Sequence, residues 1–317
     1  MADSGLVLEH VQTSQSALDR GSKHYTDQLN AEVFRLRVRK DAQKRFIEEE
    51  AGTIEIPVGV SIDDPLPPEP PELIPGVLLA HGSSGVIGMK ETGKSALALE
   101  IQFSLLTGEP LWGAIAPNKV IDKSVHFLAE HTAYNLMGLY KRMQFPSLGG
   151  RLKVFGPEHL GGHKLLVSAG IRREESLSLY KKLAEGAGLI VFDPLASYIQ
   201  GEGAENDNAM VRHVIDSMIE IAQSTNAACL ILGHQGKPQF FQGKQLKKTV
   251  YATRGASAAE DAMTAVHYLD REAGVTIDHK EVFVLRPIHY KGEKAGSFKL
   301  LRDKKTVRNT LYQGGGC

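Results

Sequence analysis

The most informative segment of the chain is Gly88-Met89-Lys90-Glu91-Thr92-Gly93-Lys94-Ser95, which follows the apolar pair Val86-Ile87. It has the spacing G-x-x-x-x-G-K-S, and an apolar run from Ala96 to Leu106 comes directly after it. A strand, a glycine-rich loop and a helix in this order place free backbone amides around a concave site that suits phosphate. We therefore expect Gly88 to Ala96 to bind ATP, with Lys94 reaching the β- and γ-phosphates and the Ser95 hydroxyl coordinating Mg²⁺.

After this loop, short apolar runs alternate with amphipathic segments, a pattern typical of a mainly parallel sheet with helices on both faces. The expected strands are Ser124–Ala129, Leu152–Phe155, Gly188–Phe192 and Ala227–Leu232. The expected helices beyond the loop are Leu177–Glu185 and Ala209–Ser224. The C-terminal part predicts a β-rich, antiparallel extension, with strand candidates in Ala262–Leu269, Glu281–Leu285 and Ser297–Arg302.

Composition limits the class of protein. The chain has 317 residues, with 37 Lys plus Arg against 37 Asp plus Glu, so it is not basic over its whole surface. No stretch approaches the roughly 18 to 20 apolar residues of a membrane-spanning helix, and Met1 to Leu8 lack the layout of a secretory signal. We therefore expect a cytoplasmic protein with no membrane partner. Cys229 lies in an apolar run and is expected to be a small buried hydrophobe.

The prolines between Asp63 and Gly76 block helix formation and favour extended backbone, which predicts a semi-rigid linker. A helix is expected over Asp27–Glu50, and its basic residues have three open interpretations: a nucleic-acid contact, a solvated face or a face that packs on a neighbouring subunit. The expected organisation is an N-terminal helical and partly disordered segment (1–62), a linker (63–76), an ATPase domain (77–310) and a flexible tail (311–317).

Two carboxylates follow apolar strands. Asp193 ends the run Leu-Ile-Val-Phe-Asp, and a carboxylate at the carboxyl edge of a parallel strand can hold Mg²⁺ together with Ser95. Glu130 follows Val125 to Ala129, a strand that we expect to adjoin the phosphate-loop strand. A carboxylate near the γ-phosphate can orient and deprotonate the attacking water, so Glu130 is the expected catalytic base.

His234 ends the strand that is expected to lie beside the Asp193 strand, where a polar side chain can sense the γ-phosphate. The segment that follows, Lys237 to Arg254, has five basic residues, no acidic ones and interleaved aromatics. Cations that follow a backbone and rings that stack on bases suit single-stranded DNA. The expected DNA-binding residues are Lys237, Lys244, Lys247 and Lys248. Arg254, just beyond them, can neutralise transition-state charge on phosphate.

From Gly76 to Asp303 the arrangement resembles the RecA-like core of hexameric replicative helicases, in particular the plasmid RepA-type ATPases and their phage-borne relatives. The resemblance rests on the phosphate loop, Leu128-Ala129-Glu130, Phe192-Asp193-Pro194-Leu195, Glu205-Asn206-Asp207-Asn208, Gly233-His234 and Arg254-Gly255-Ala256-Ser257. It implies a RecA-like P-loop NTPase core, a homo-oligomer, in particular a hexamer, with ATP between subunits, DNA in the central channel, and replication or recombination proteins as partners.

The chain departs from this family where trans-acting contacts are usually supplied. The matching stretch reads Arg286-Pro287-Ile288-His289-Tyr290-Lys291-Gly292 instead of a Lys-x-Asn-Tyr-Gly or Lys-x-Arg-x-Gly segment. The trans finger therefore has three candidates: Arg254, Arg286 and Lys291.

Three functions fit this pattern of motifs. The first is a ring-forming ATPase that moves along single-stranded DNA, a replicative-type helicase. The second is a RecA-like recombination or repair ATPase, although no N-terminal polymerisation strand is evident. The third is a helicase loader or regulatory ATPase without unwinding activity. A P-loop small-molecule kinase is disfavoured because neither an arginine-bearing lid nor an acceptor pocket can be identified in the sequence.

Overall fold

The computed structural model describes residues 71–168, 171–200, 207–234, 259–290 and 296–313, and short pieces at 240–241 and 244–245. It also describes residues 30–31, 33–35, 37–38 and 41–42, which are helical, as the sequence predicted for this part of Asp27–Glu50. The chain divides into two compact units, Met1–Leu66 and Pro67–Cys317. The second unit contains the glycine-rich loop and both carboxylates that were predicted to serve it.

A nine-stranded sheet forms the centre of the second unit. Its strands, in spatial order, are β16 (Asn309–Leu311), β15 (Phe298–Arg302), β14 (Lys280–Tyr290), β13 (Ala265–Ile277), β3 (Ser83–Gly88), β10 (Ala228–His234), β8 (Leu189–Asp193), β4 (Ser124–Leu128) and β5 (Leu152–Phe155). The six strands from β13 to β5 are parallel, and β13 to β16 pair antiparallel. The predicted fold class, a mainly parallel α/β sheet of the P-loop NTPase kind with a β-rich C-terminal extension, is confirmed.

Helices cover both faces of the sheet. They are α1 (Lys94–Thr107), α2 (Ala133–Arg142), α3 (Pro157–Leu160), α4 (Glu174–Ala184) and α5 (Asn208–Ser224). Short strands complete the unit: β1 (Glu72–Ile74) pairs with β2 (Leu78–Leu79), β6 (Val167–Ser168) pairs with β7 (Ile171–Arg172) and β9 (Ile199–Gln200), and β11 (Phe240–Phe241) pairs with β12 (Lys244–Gln245). Within the described residues, no helix is long and apolar enough to cross a membrane.

The central strands are mainly apolar because each one is buried on both faces. Leu189 and Val191 of β8 pack into the cluster that contains α1, whereas Ile190 and Phe192 pack into the cluster that contains α4 and α5. Successive side chains of a strand point to opposite faces, so a continuous apolar run supplies both cores. Cys229 of β10 belongs to the second cluster and is buried, as predicted.

The C-terminal extension is longer than the sequence indicated. Strands β13 and β14 form a hairpin through Asp278 and His279, both of which have positive φ (49° and 60°). This is the backbone of the favoured two-residue hairpin turn, but Asp-His is not one of the residue pairs that usually mark it. The predicted strand Ala262–Leu269 was wrong at its start, because residues 259–262 are helical and β13 begins at Ala265.

Two further expectations need correction. The strand before Glu130 does not adjoin the phosphate-loop strand, since β10 and β8 lie between β3 and β4. Sequence order does not reveal this, because chain-adjacent strands need not be neighbours in a parallel sheet. Strand β1 lies inside the segment expected to be linker, where Leu73 and Ile74 are buried against Leu78 and the rest of the α1 core.

Candidate functional site

The site lies where the carboxyl ends of four parallel strands meet. Register pairs Gly88 at the end of β3 with His234 at the end of β10, and Asp193 at the end of β8 with Leu128 at the end of β4. Glu130 follows β4 by two residues. Parallel strands end at a common edge, so the sheet brings together side chains that are far apart in sequence.

The phosphate loop joins β3 to α1. Two of its positions require glycine, each for a different physical reason. A Cβ on Gly88 would lie 2.6 Å from the backbone oxygen of Leu269, so the neighbouring strand β13 leaves no room for a side chain. Gly93 precedes α1 with a φ of 83°, a conformation that side chains rarely adopt. The Thr92 hydroxyl and amide both donate to the Met89 carbonyl and close the turn.

Lys94 is buried at the base of this loop. Its Nζ donates to the carbonyl oxygens of Gly88 (2.9 Å) and Met89 (2.7 Å). Burial lowers the Lys94 pKa to about 8, and the charges of Asp193 and Glu130 oppose that shift. The ammonium therefore lies among loop carbonyls and two carboxylates, where a phosphate would restore some of the lost solvation.

Ser95 and Asp193 are in direct contact: the Ser95 hydroxyl donates to Asp193 Oδ2 at 2.6 Å. Burial acts to raise the Asp193 pKa, but His126, the Ser95 hydroxyl and Lys94 together lower it below its usual value. Asp193 is therefore an anionic oxygen donor beside a hydroxyl. Those two donor types fit Mg²⁺, whose remaining positions in such sites are filled by phosphate oxygens and water.

His126 was missed by the sequence reasoning, which assigned it no role. It is fully buried in β4, with Nε2 3.7 Å from Asp193 Oδ2. Its Nδ1 lies 2.9 Å from Gln102 Oε1, and Gln102 Nε2 donates to Ser124, whose hydroxyl donates to the Leu189 carbonyl. This series of hydrogen bonds places a proton on His126 Nδ1, because the Gln102 amide oxygen can only accept. A histidine inside an apolar strand carries no sequence signal for such a contact.

Glu130 lies at the rim of the site with a partly exposed side chain. Ser197 Oγ donates to Glu130 Oε1 at 2.7 Å, and His234 Nε2 lies 4.0 Å from Glu130 Oε2. Ser197 belongs to a single helical turn, Leu195–Tyr198, directly after β8. The carboxylate is thus held by one hydroxyl while its other oxygen faces the site. Ser197 is a second residue that the sequence did not indicate.

His234 stands opposite Glu130 at the end of β10. Burial lowers its pKa, followed by the positive charge of Lys94, while Glu130 and Asp193 act to raise it. Among the described residues, His234 Nδ1 is buried without a hydrogen-bond partner. The lowered pKa favours the neutral imidazole, and Nδ1 is able to make a new hydrogen bond, which is what a γ-phosphate sensor requires.

Most of the other predicted site residues are not among those that the structure describes. Lys237, Lys247, Lys248, Arg254 and Lys291 lie outside the described residues. Lys244 is in β12, which pairs with β11. Arg286 forms an ion pair with Asp270 across the β13–β14 hairpin of its own chain.

A glycine loop at the carboxyl edge of a parallel sheet, with a buried lysine and a paired hydroxyl and carboxylate, defines a P-loop ATPase. A family model described as AAA domain matches residues 55–239, more than half of the chain, and the chain belongs to that family. The match ends before the C-terminal strands β13 to β16. A comparison with curated proteins finds no match.

Proposed function

We propose that this P-loop ATPase is a ring-forming motor that acts on single-stranded DNA, of the replicative helicase type. In this proposal, residues 77–310 are a RecA-like domain that assembles as a homo-oligomer, in particular a hexamer. Residues 1–62 form an N-terminal segment, residues 63–70 belong to a linker, and the tail begins only after β16, which ends at Leu311.

The observation that carries the hydrolytic part is the convergence of Lys94, Ser95, Asp193, Glu130 and His234 at one sheet edge. The backbone amides of Gly88 to Ala96 cradle the phosphates, and the Lys94 ammonium leaves its loop carbonyls to neutralise them. Ser95 and Asp193 would hold Mg²⁺, and the chemistry supplied there would be Lewis-acid stabilisation of phosphate charge.

Glu130 has the position that a general base needs. One carboxylate oxygen is fixed by Ser197, and the other remains available to accept a proton from water at the γ-phosphate. The Glu130 side chain is 38% exposed, so it lies where water reaches the site. Lys94 and Glu130 interact electrostatically, so the same pocket supplies a cation for phosphate and a base for water.

The proposal that the protein acts on DNA rests on the segment that follows His234 in the sequence. The basic, aromatic-containing segment with Lys237, Lys244, Lys247 and Lys248 starts three residues after the proposed sensor. A change in the hydrogen bond of His234 on loss of the γ-phosphate would act directly on this segment. The resemblance to RepA-type ATPases supports the same assignment, and Arg254, Arg286 and Lys291 remain the candidates for a finger that reaches the neighbouring subunit.

The first test concerns the nucleotide site. Lys94→Ala removes the main cation for the γ-phosphate, so we expect ATP hydrolysis to fall to background in a phosphate-release assay. Lys119→Ala, at an exposed lysine outside the site, is the matched control and retains wild-type turnover. Undiminished hydrolysis by Lys94→Ala would exclude the proposed site.

The second test concerns DNA. We expect single-stranded DNA to stimulate the ATPase rate, and the mass in solution with nucleotide to be that of six subunits. Charge reversal of Lys244, Lys247 and Lys248 removes the stimulation but leaves the basal rate unchanged. Charge reversal of three exposed lysines elsewhere, Lys119, Lys153 and Lys182, controls for total charge. A monomer whose ATPase ignores DNA, in wild type and variant alike, would refute the motor and favour a loader or regulatory ATPase.

A further inference from the structure

Arg302 of β15 is an arginine in the interior of the protein, although it lies in a stretch whose sequence is typical of a basic rim. It is 5% exposed, and its guanidinium lies 3.8 Å from the centre of the Phe283 ring. Its Nη1 donates to the carbonyl oxygen of Thr92 at 2.8 Å, and its Nε donates to Asn309 Oδ1 at 3.0 Å. Arg302 therefore links the C-terminal extension to the backbone of the phosphate loop.

The bond to Thr92 sets the direction of an amide. In a planar trans peptide, the C=O of one residue and the N–H of the next point in opposite directions. The Thr92 carbonyl points at Arg302, so the Gly93 N–H points away from Arg302. Amides of this loop supply the donors that surround a phosphate. The guanidinium thus selects one of the two orientations open to the Thr92–Gly93 peptide.

Close packing reinforces that selection. A Cβ on Gly93 would lie 2.0 Å from Arg302 Nη1 and 2.6 Å from its Cζ, so the guanidinium lies directly against the glycine. Gly93 has a positive φ of 83°, and glycine backbone is otherwise the most permissive in the chain. A rigid neighbour at this residue lowers the entropy that phosphate binding would have to remove.

Arg302 is itself held in place from α1. Asn309, which receives the Arg302 Nε bond, donates through Nδ2 to Glu100 Oε2 at 2.7 Å and through its backbone amide to Glu100 Oε1. Trp112 Nε1 also donates to Glu100 Oε2, at 3.1 Å. Glu100, Arg302 and Asn309 are all buried. The guanidinium is therefore fixed by a buried network, unlike the guanidinium of a mobile surface side chain.

We propose that Arg302 is a positioning residue for nucleotide binding: its two-point hold on Thr92 and Asn309 keeps the Gly93 amide directed at the bound phosphate. The proposal rests on the assignment of Gly88 to Ala96 as the phosphate loop. It gives the β-rich extension, which lies beyond the residues matched by the family model, a role in the ATP site.

The test is the affinity of the full-length protein for ADP, measured by calorimetric titration on Arg302→Met, Arg302→Lys and Arg308→Met. Arg302→Met removes a charge-assisted hydrogen bond to the loop, so we expect it to raise the Kd about tenfold or more. Arg302→Lys keeps one donor nitrogen but not the two-point hold, so its Kd is expected to fall between those of Arg302→Met and wild type. Arg308→Met, at an exposed arginine in the turn between β15 and β16, leaves the Kd unchanged.

A purely structural role is separated by a second readout. The Gly93 amide contacts phosphate in both the ground state and the transition state, so Arg302→Met raises KM for ATP more than it lowers kcat. If folded Arg302→Met binds ADP with wild-type affinity, the proposal is overturned, whatever its melting temperature. If Arg302→Met does not fold, wild-type affinity in folded Arg302→Lys overturns it.

Lys94→Ala in the same titration distinguishes this inference from the proposed function. Lost affinity in Lys94→Ala with full affinity in Arg302→Met would reject only the positioning role. Full affinity in Lys94→Ala would reject the phosphate-loop assignment itself.

Discussion

The buried Glu100 predicts a pH-dependent stability that can be isolated with one substitution. Burial raises its pKa from 4.5 to about 7, against the opposing effects of Asn309, Arg302 and Trp112. A carboxyl group whose pKa is higher in the folded state favours folding at low pH. Its contribution is fully present below the unfolded pKa of 4.5 and is lost as the pH rises through about 7.

The size of the effect follows from the two pKa values. Each pKa unit of difference is worth about 1.4 kcal/mol, so ionising Glu100 in the folded protein costs about 3 kcal/mol. Most of this loss, about 2 to 3 kcal/mol, falls between pH 5 and pH 8. In a unit of this size, 1 kcal/mol shifts the Tm by about 2 to 4 °C, so the expected change is roughly 5 to 10 °C.

Glu100→Gln is the perturbation because it keeps the size of the side chain and cannot ionise. Its amide nitrogen faces the donors of Asn309 and Trp112, which costs about 1 to 3 kcal/mol at every pH. The assay is the Tm of both proteins at pH 5, 6, 7 and 8. The difference in Tm between the two proteins cancels the pH dependence of groups that both contain. One such group is His267, whose pKa is lowered by burial to about 4, so that it stabilises the fold as the pH rises.

We expect wild type to be more stable than Glu100→Gln at pH 5 and to lose about 2 to 3 kcal/mol of that advantage by pH 8. Glu109→Gln, at an exposed glutamate beyond the end of α1, shows no such trend. A Tm difference that stays constant from pH 5 to pH 8 would refute the reasoning. It would mean that Glu100 is ionised in the folded state over the whole range, held so by its three donors and Arg302.

Three further predictions concern the site and its scaffold. Glu130→Gln should lower kcat by about 10² to 10⁴ while ADP binding is retained, since only the base is lost; a parallel loss of binding would point to a structural role. Ser197→Ala should lower kcat by about tenfold at unchanged KM, because it frees the Glu130 carboxylate to rotate, and unchanged kcat would argue against that restraint. Asp207 accepts from the amides of Ala209 and Met210 at the start of α5, so Asp207→Ala should cost about 1 kcal/mol in denaturant unfolding and leave the ATPase rate of the folded protein intact.

The parts of the fold that the sequence predicted are those set by local pattern. The G-x-x-x-x-G-K-S spacing and the apolar runs of β8 and β10 indicated a parallel sheet buried on both faces, and this architecture is present. Strand order was not predictable in the same way. Glu130 reaches the site although its strand is three places away from β3, because all parallel strands end at the same edge.

The sequence did not indicate which polar residues are buried. The pattern of Phe298–Arg302 predicts a strand with a basic end, and only the packing of Phe283 and Gly93 around the guanidinium shows that Arg302 is interior. His126 lies in a fully buried strand, where the sequence shows only an isolated polar residue. Both positions depend on contacts between segments distant in the chain, which periodicity does not encode.

Helix α1 explains why these two missed residues belong together. Gln102 and Glu100 are two residues apart, so their side chains point about 200° apart around the helix axis. Gln102 contacts His126, whose other ring nitrogen faces Asp193, the partner of Ser95. Glu100 leads through Asn309 and Arg302 to Thr92, on the other side of Gly93. Two separate buried polar chains therefore start from the helix that follows the phosphate loop. The chain through Asn309 and Arg302 reaches the loop backbone by hydrogen bonds, whereas the other ends at His126 Nε2, 3.7 Å from Asp193 Oδ2. A buried polar chain is stable only when its members are paired, so a shift of α1 would have to break one of them. The position of α1 is therefore coupled to the backbone of the phosphate loop through Glu100, Asn309 and Arg302.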